Sequence, residues 1–442
     1  MSINQQQRSF FLTRKTLEYD FRKNNLLLLK RAIKLHEEEL YEALKADLNK
    51  SKEESFITEV SLVYGEIDYH LKKLKKWMKP RKVKTNLLNL PGKSEIIYEP
   101  YGVNLIIGAW NYPVNLTLVP LVGAMSAGNT VVIKPSELAS KVSEVLAKII
   151  NTHFPREYIH VVEGGAEVSS SLLSEKWDYV FYTGGERVGK IVAQACAEKL
   201  TPYTLELGGK SPCIVMDDVD LKLAVKRILW GKFLNNGQTC IAPDYLLAPH
   251  KIKDRLLEEL KKQIQNSYSS EVNIINDNHF NRIKGLVESA YYEHHVEGTR
   301  RLGPVIIDVK DPEEKVMQEE IFGPLIPVVG FDDLDEALHF IESKSRPLAL
   351  YLFSKNENVQ KRVKALPFGG GVINDVIMHV SNPYLPFGGV GNSGQGAYHG
   401  QWSFELFSHK KSLMTKPLWF DPFIKYPPYT SFKMRLLKFL MK

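Results

Sequence analysis

The chain has 442 residues, 44% hydrophobic and 25% charged, with a net charge of +7. That length is too great for one ordinary core and calls for more than one domain, and the composition is that of a globular protein, not a disordered or fibrous one. The three cysteines, Cys196, Cys213 and Cys240, show no framework spacing and imply neither a disulfide scaffold nor a zinc site.

Residues 12 to about 50, and Thr58 to Lys79, are rich in Leu, Lys and Glu at helical spacing and are predicted surface helices, ended by Pro80. No basic start leads into an apolar run, so no signal peptide is read and a cytoplasmic location is expected. Between Lys82 and Pro100, Asn89-Leu90-Pro91-Gly92 separates two strand-like runs, which predicts a hairpin arm. From Pro100 to Ile133 there are 34 residues without one charge. About 20 apolar residues can span a bilayer, but Pro113, Pro120, four asparagines and four glycines argue against a span here. The same stretch reads as strand Val103 to Ile107, helix Val114 to Ala127 and strand Thr130 to Ile133, the look of buried parallel strands.

The alternation continues. A helix from Ser140 to Asn151 precedes a strand at Tyr158 to Val162, and a helix from Glu167 to Ser174 precedes a strand at Tyr179 to Tyr182. The next helix has apolar positions at 188, 191, 192, 195 and 196. Such order predicts a parallel sheet covered by helices. Beyond Glu206 a second such region holds Cys213 to Met216, the turn around Cys240, Gly323 to Phe331 and Leu348 to Phe353. The fold class read from this is α/β, with two doubly wound parallel-sheet domains plus the hairpin arm. Cys196 and Cys213 fall at core positions.

Three stretches carry chemistry. Thr183-Gly184-Gly185-Glu186-Arg187-Val188-Gly189 sits between a strand and a helix, where glycines let a pyrophosphate approach the helix N-terminus. Its spacing is not G-x-G-x-x-G, and no acidic residue follows at the usual distance, so on spacing alone a tight turn serves equally well. Cys240 ends a Gly-Gln-Thr-Cys turn; a buried cysteine is commonly just a small apolar residue, but a thiolate is the strongest neutral-pH nucleophile a side chain offers. In Thr204-Leu205-Glu206-Leu207-Gly208-Gly209, Glu206 lies on an apolar strand, where desolvation raises its pKa and suits it to proton transfer.

With Trp110-Asn111-Tyr112-Pro113 and Glu320-Ile321-Phe322-Gly323-Pro324, these stretches resemble the NAD(P)-dependent aldehyde dehydrogenases, above all their class 3, fatty-aldehyde branch. The resemblance runs from about Lys50 to Pro417 and includes Pro386-Phe387-Gly388-Gly389-Val390-Gly391-Asn392-Ser393-Gly394. It implies that residues 1–80 and 99–206 form an NAD(P)-binding domain and 207–395 a catalytic domain. Residues 81–98 and 396–415, the latter with a strand near Leu406 to Leu413, would form an oligomerisation arm of a homodimer. It implies that Cys240 attacks an aldehyde, that Asn111 and the Cys240 N–H hold the oxyanion, and that Glu206 activates water against the thioester. Lys134 and Glu137 would hold the adenosine ribose; Gly184, Gly185 and Gly189 would admit the pyrophosphate; Glu320 would hold the nicotinamide ribose, with Phe322 near the ring. NAD is the expected cofactor, with NADP open because class 3 members often accept both. Tyr112, Trp230 and Phe233 would line a funnel for a lipophilic, medium- to long-chain or aromatic aldehyde, or serve simply as core.

Two departures stand out. Gly185 replaces a phosphate-bonding serine of many relatives. The stretch Tyr291 to Pro304 is shorter than theirs and carries Arg300-Arg301 where they have apolar strand residues. The alternatives are a dehydrogenase that passes its acyl group to another nucleophile, against which Glu206 speaks, and a non-enzymatic cofactor-binding scaffold, against which Cys240 and Asn111 speak.

The tail, 416–442, stands apart. From His409 to Lys442 eight Lys/Arg face the single acid Asp421, which accounts for the whole net charge. Basicity placed in a tail argues against a nucleic-acid partner. On a helix over Ser431 to Lys442, Arg435, Lys438 and Lys442 gather on one side and Phe432, Leu436, Phe439 and Leu440 on another. That pattern suits either a peripheral contact with an anionic membrane face or docking on protein.

Overall fold

The structure, a computed structural model, describes residues 1–267, 271–287 and 298–441. Two six-stranded sheets and one of three strands organise it. The first sheet runs in the order Gly394–Gln395, Tyr203–Glu206, Tyr179–Thr183, Val103–Ile107, Thr130–Lys134 and Ile159–Val161. All its pairs are parallel except that of Gly394–Gln395. The second, wholly parallel, runs Val305–Asp308, Leu325–Phe331, Tyr245–Pro249, Pro212–Val215, Ala349–Phe353 and Gly370–Ile373.

The charge-free stretch is the centre of the first domain. Val103–Ile107 lies between two parallel neighbours, and every residue of the helix Asn115–Ala127 is buried. A strand covered on both faces and a helix without a solvent face leave charge nowhere to go. Gly128, in the left-handed region at φ 96°, closes that helix and turns the chain into the next strand.

Several boundaries differ from the sequence reading. A first helix, Ile3–Leu12, precedes the expected ones; Ser2 and Gln5 cap it reciprocally. The expected helix from Thr58 begins at Lys52 and passes through a π-helical turn, Phe56–Val60, before Ser61–Trp77. Gly394–Gln395, assigned by sequence to the second domain, instead pairs with Leu205 and Glu206 at the edge of the first sheet. The departure at Tyr291 to Pro304 falls largely outside the described residues; within it, the Arg300 carbonyl accepts a hydrogen bond from Ile274 N at 2.9 Å.

The arm is the third sheet. Lys93–Pro100 pairs antiparallel with Arg81–Val83 on one side and with Ser408–Thr415 on the other. The last strand starts later than expected because Gln401–Leu406 is helical. Its neighbours Ser403 and Phe407 pack so closely on Gly123 that a side chain there would overlap them. The tail helix, Ser431–Leu440, is capped by Thr430, rests against the turn Leu87–Asn89 and buries none of its residues. Among the described residues no helix is long and apolar enough to cross a membrane.

Candidate active site

The C-terminal ends of the first sheet's strands face the N-terminal ends of the second sheet's. Asn111 follows Val103–Ile107, Lys134 ends its strand with Glu137 just beyond, Gly184 and Gly185 follow Tyr179–Thr183, and Glu206 ends Tyr203–Glu206. From the other side come Gly208 ahead of Pro212–Val215, Cys240 ahead of Tyr245–Pro249 and Glu320 ahead of Leu325–Phe331. In open α/β sheets ligands bind at this carboxyl edge.

The result is a cleft of about 350 Å³ that holds Asn111, Gly184, Gly185, Glu206, Gly208, Cys240, Glu320 and Phe322 on its walls. A second, apolar tunnel of about 220 Å³ reaches Cys240 from another direction. Its walls include Ile57, Leu62, Tyr112, Trp230, Ile241 and Met378. Leu116, Phe387 and Tyr398 join Cys240 in bordering both spaces.

The Cys240 turn is knitted by its own amides. Asn235 and Asn236 both sit in the left-handed region, at φ 53° and 54°, which asparagine tolerates better than most residues. Asn235 Nδ2 donates to the Gln238 carbonyl (3.1 Å) and to the Asn111 carbonyl (2.8 Å). Gln238 in turn donates to the Asn235 and Asn273 carbonyls and accepts from Ile275 N. Asn111 Nδ2 donates to the Gln238 carbonyl at 3.1 Å, and Tyr112 Oη pairs with Thr239 Oγ1 at 2.6 Å. The two loops are thus hydrogen-bonded directly to each other.

Electrostatics set the resting state. Burial pushes the Cys240 thiol well above its ordinary pKa, the carboxyls of Glu320 and Glu206 push it the same way, and the N–H groups of Cys240 and Ile241 offset part of this. Glu206 is buried, neither of its oxygens has a hydrogen-bond partner among the described residues, and burial alone raises it well above the carboxylate range. Burial, and next the charge of Asp244, push Glu320 up to about 8. Lys210 is held off by Asp244 (2.6 Å) and by the carbonyls of Val316 and Glu319.

The residues around the cleft fit a dinucleotide. The helix Glu186–Glu198 opens on the cleft with Gly185 as its N-cap, so free N–H groups point at any bound anion. A Cβ on Gly189 would come to 2.8 Å from Leu207 Cδ2, so glycine allows close helix-to-strand packing there. Gly185 has nothing within 4 Å of such a Cβ, so sterics alone leave room for the serine of relatives. Gly208 is required by Glu320, whose carboxylate occupies the space of a Cβ. Lys134 is buried and bonds Glu137 Oε2 at 2.5 Å. That pair stands outside the walls of the cleft, although the charge of Glu137 is felt by Tyr182, on the strand that leads to Gly184. Trp110 meets Phe322 edge-on at 5.4 Å and His279 at 5.3 Å, forming an aromatic wall.

The model of the aldehyde dehydrogenase family matches residues 5–413. The chain belongs to that family. It is 45% identical to a 4,4'-diaponeurosporen-aldehyde dehydrogenase of Staphylococcus aureus, covering 98% of this chain and 97% of the relative. It is 46% identical to a dimeric NADP-preferring aldehyde dehydrogenase of Canis lupus familiaris, over 96% of this chain and 97% of the relative. It is 43% identical to aldehyde dehydrogenase family 3 member A2 of Rattus norvegicus, over 99% and 93% respectively. A solved structure described as the substrate-bound state of Staphylococcus aureus AldH superposes with a TM-score of 0.96 at 44% identity, covering 99% of this chain and 98% of that one. This aldehyde dehydrogenase is therefore an NAD(P)-dependent oxidoreductase that acts on aldehydes, on the fold expected from its sequence.

In this aldehyde dehydrogenase one expected funnel residue is elsewhere. Phe233 is at the end of the helix Leu221–Phe233 and lines an adjacent groove with Glu38, Tyr41 and Lys52, not the apolar tunnel. Trp230, one helical turn earlier, borders both. Sequence reasoning missed Leu116, Ile377, Tyr398 and His399 in the tunnel, and Lys50, Glu59 and Asn235 behind Asn111. The tunnel residues carry no motif. A lysine just after the helix-ending Asn49, and a glutamate in a helical run, look like surface charges.

Proposed function

We propose that this aldehyde dehydrogenase oxidises a lipophilic, long-chain or aromatic aldehyde to its carboxylic acid through a covalent Cys240 intermediate. The observation that carries this is the meeting of an apolar tunnel and a polar cleft at one thiol. The name of one similar protein, the 4,4'-diaponeurosporen-aldehyde dehydrogenase, fits the same substrate class.

The aldehyde chain enters the tunnel and presents its carbonyl carbon to Cys240 Sγ. The thiol gives its proton to water in the cleft as the S–C bond forms, and the carbonyl oxygen takes the negative charge. Asn111 Nδ2 and the Cys240 N–H donate to the developing oxyanion, in a site where fixed donors are worth most. A bound dinucleotide supplies the hydride acceptor. Loss of hydride leaves a thioester on Cys240. Glu206, whose charge nothing stabilises, is a strong base once ionised; it takes a proton from water, and the hydroxide displaces the thiol as the acid leaves. Glu137, placed beside the adenosine ribose, repels a 2′-phosphate and favours NAD over NADP.

The three-stranded arm joins two copies into a homodimer. All three residues of Arg81–Val83 are exposed and form a sheet edge, the kind of edge proteins cover. The tail makes a peripheral contact with an anionic lipid surface. In support, Leu418, Trp419, Phe423, Phe432 and Phe439 are all exposed beside a run of Lys and Arg, and the helix that carries the last two buries nothing.

A series of aldehydes of increasing length, scored by kcat/KM with NAD and with NADP, tests the substrate class. Each methylene buried in the tunnel is worth about 0.8 kcal/mol, so kcat/KM should rise about fourfold per carbon until the tunnel is filled. A flat series, or a preference for short polar aldehydes, would overturn it. For the tail, co-sedimentation with anionic liposomes at low salt should be seen for the full chain and lost in a chain ending at Tyr426; equal behaviour of the two would rule the lipid contact out.

A further inference from the structure

Behind Asn111 lies an ion pair with no solvent access. Lys50 and Glu59 both have side chains 0% exposed, and Lys50 Nζ bonds Glu59 Oε1 at 2.7 Å. The local sequence explains how two charges come to be there. Asn49 ends the helix Glu37–Leu48 in the left-handed region (φ 57°), and the residue after it turns inward. Glu59 belongs to the π-helical turn Phe56–Val60, and such a turn inserts one residue and rotates its neighbours off the regular face; these turns recur at functional sites.

Each partner's remaining capacity is spent on the loop that carries Asn111. Lys50 Nζ donates to the Asn111 carbonyl at 3.0 Å and stands 4.1 Å from the centre of the Tyr112 ring. Glu59 Oε2 accepts from Val114 N (2.9 Å) and Asn115 N (3.0 Å), the first N–H groups of the helix that follows. One buried pair therefore grips the loop at the oxyanion donor and just after it. A surface pair would be worth little, and a buried one costs desolvation that hydrophobic replacements avoid. The geometry gives it something a hydrophobic pair lacks, a fixed backbone for the Asn111 side chain.

We propose that Lys50 and Glu59 are positioning residues for the acylation half of the reaction: they act through the Asn111 main chain and hold its side-chain amide where the oxyanion forms. This rests on the assignment of Asn111 as the oxyanion donor. Removing one such donor costs about 100- to 1000-fold in rate, and loosening it costs a part of that.

The test is the rate of NADH formation in a single turnover, measured in two backgrounds. Lys50→Met with Glu59→Gln leaves no lone buried charge and keeps an acceptor for the helix N–H groups. In the otherwise native enzyme it should slow NADH formation about tenfold, with the Kd for NAD unchanged. In an Asn111→Ala background the same pair of changes should cost less than about twofold, because residues acting through one group are not additive. Equal losses in the two backgrounds would overturn the proposal. If Asn111→Ala alone leaves the rate unchanged, the oxyanion assignment falls instead. Lys50→Arg keeps the charge pair, and with it the fold, while moving the donor atom. It should lose rate by about threefold or more at unchanged Tm, and a native rate in it would overturn the proposal as surely.

Discussion

Replacing Gly208 with alanine is expected to weaken cofactor binding while leaving the fold intact. A Cβ on Gly208 overlaps Glu320 Oε2 and comes to 2.7 Å from both its Cδ and its Oε1. Comfortable carbon contacts lie near 3.5 to 4.0 Å, so the carboxylate has to retreat by about 1 Å. The obstacle is the free end of a flexible side chain, and turning it aside costs about 1 kcal/mol in rotamer energy. Tm should then fall by about 2 °C or less. If Glu320 holds the nicotinamide ribose, as the family resemblance implies, that bond is what the change removes. With burial holding Glu320 protonated at neutral pH, a neutral hydrogen bond is worth about 0.5 to 1.5 kcal/mol, which corresponds to about a 2- to 13-fold rise in the Kd for NAD at pH 7. Titration of NAD by calorimetry, beside a thermal melt of the same preparation, separates the two effects. An unchanged Kd would refute the placement of Glu320 at the cofactor, and a collapse in Tm would refute the claim that the clash is relieved locally.

Glu206→Gln should give a burst of about one NADH per active site followed by slow turnover, because a neutral amide cannot deprotonate water; a slow trace without a burst would place Glu206 earlier in the reaction. The same change bears on stability. The folded carboxyl holds its proton more tightly than the unfolded one, so wild-type stability falls as pH rises above the ordinary value of 4.5. The Tm advantage of the variant should therefore grow as pH rises above 4.5, and a constant difference would contradict the raised pKa. Glu137→Gln should raise the kcat/KM ratio of NADP over NAD, and an unchanged ratio would remove Glu137 from the ribose site. Lys232 is buried in the helix Leu221–Phe233 with no hydrogen-bond partner for its Nζ among the described residues, and burial lowers it to about 8 from 10.5. The unfolded lysine binds its proton more tightly, so the penalty is present in full below about 8 and fades as pH rises to 10.5. Lys232→Met should be more stable at pH 7 by up to about 3 kcal/mol in urea unfolding, with the gain gone above the unfolded pKa; a destabilised variant would show that Nζ has a partner.

The features legible in the sequence were those written in local composition. A strand covered on both faces has nowhere to place a charge, so the run from Pro100 to Ile133 announced the centre of the first sheet. The Gly-Gln-Thr-Cys turn and the double glycine after Glu206 are local chemistry, and both stretches border the cleft. The tail pattern was legible for the same reason. What depends on distant pairing was not. The antiparallel return of Gly394–Gln395 to Glu206 leaves no mark on its own residues, and a parallel-sheet reading has no place for it. The grip of Lys50 and Glu59 on Asn111 joins segments far apart in the chain, and a π-helical turn is invisible to an ideal helical period. Phe233 borders a different groove from the one the family resemblance implies, because the direction its helix faces is set by distant packing. Only one turn of helix separates it from Trp230, but that turn faces another groove.

The covalent route through Cys240 is the centre of the account, and direct capture of its intermediate tests it best. Glu206→Gln enzyme would be mixed with NAD and a long-chain aldehyde, quenched in acid during the burst, digested and mapped by mass spectrometry. The expected result is one acyl group, with the mass of the aldehyde less one hydrogen, on the peptide that holds Cys240 and on neither Cys196 nor Cys213, both of which are buried. NADH formed at a full burst with Cys240 unmodified would contradict the account.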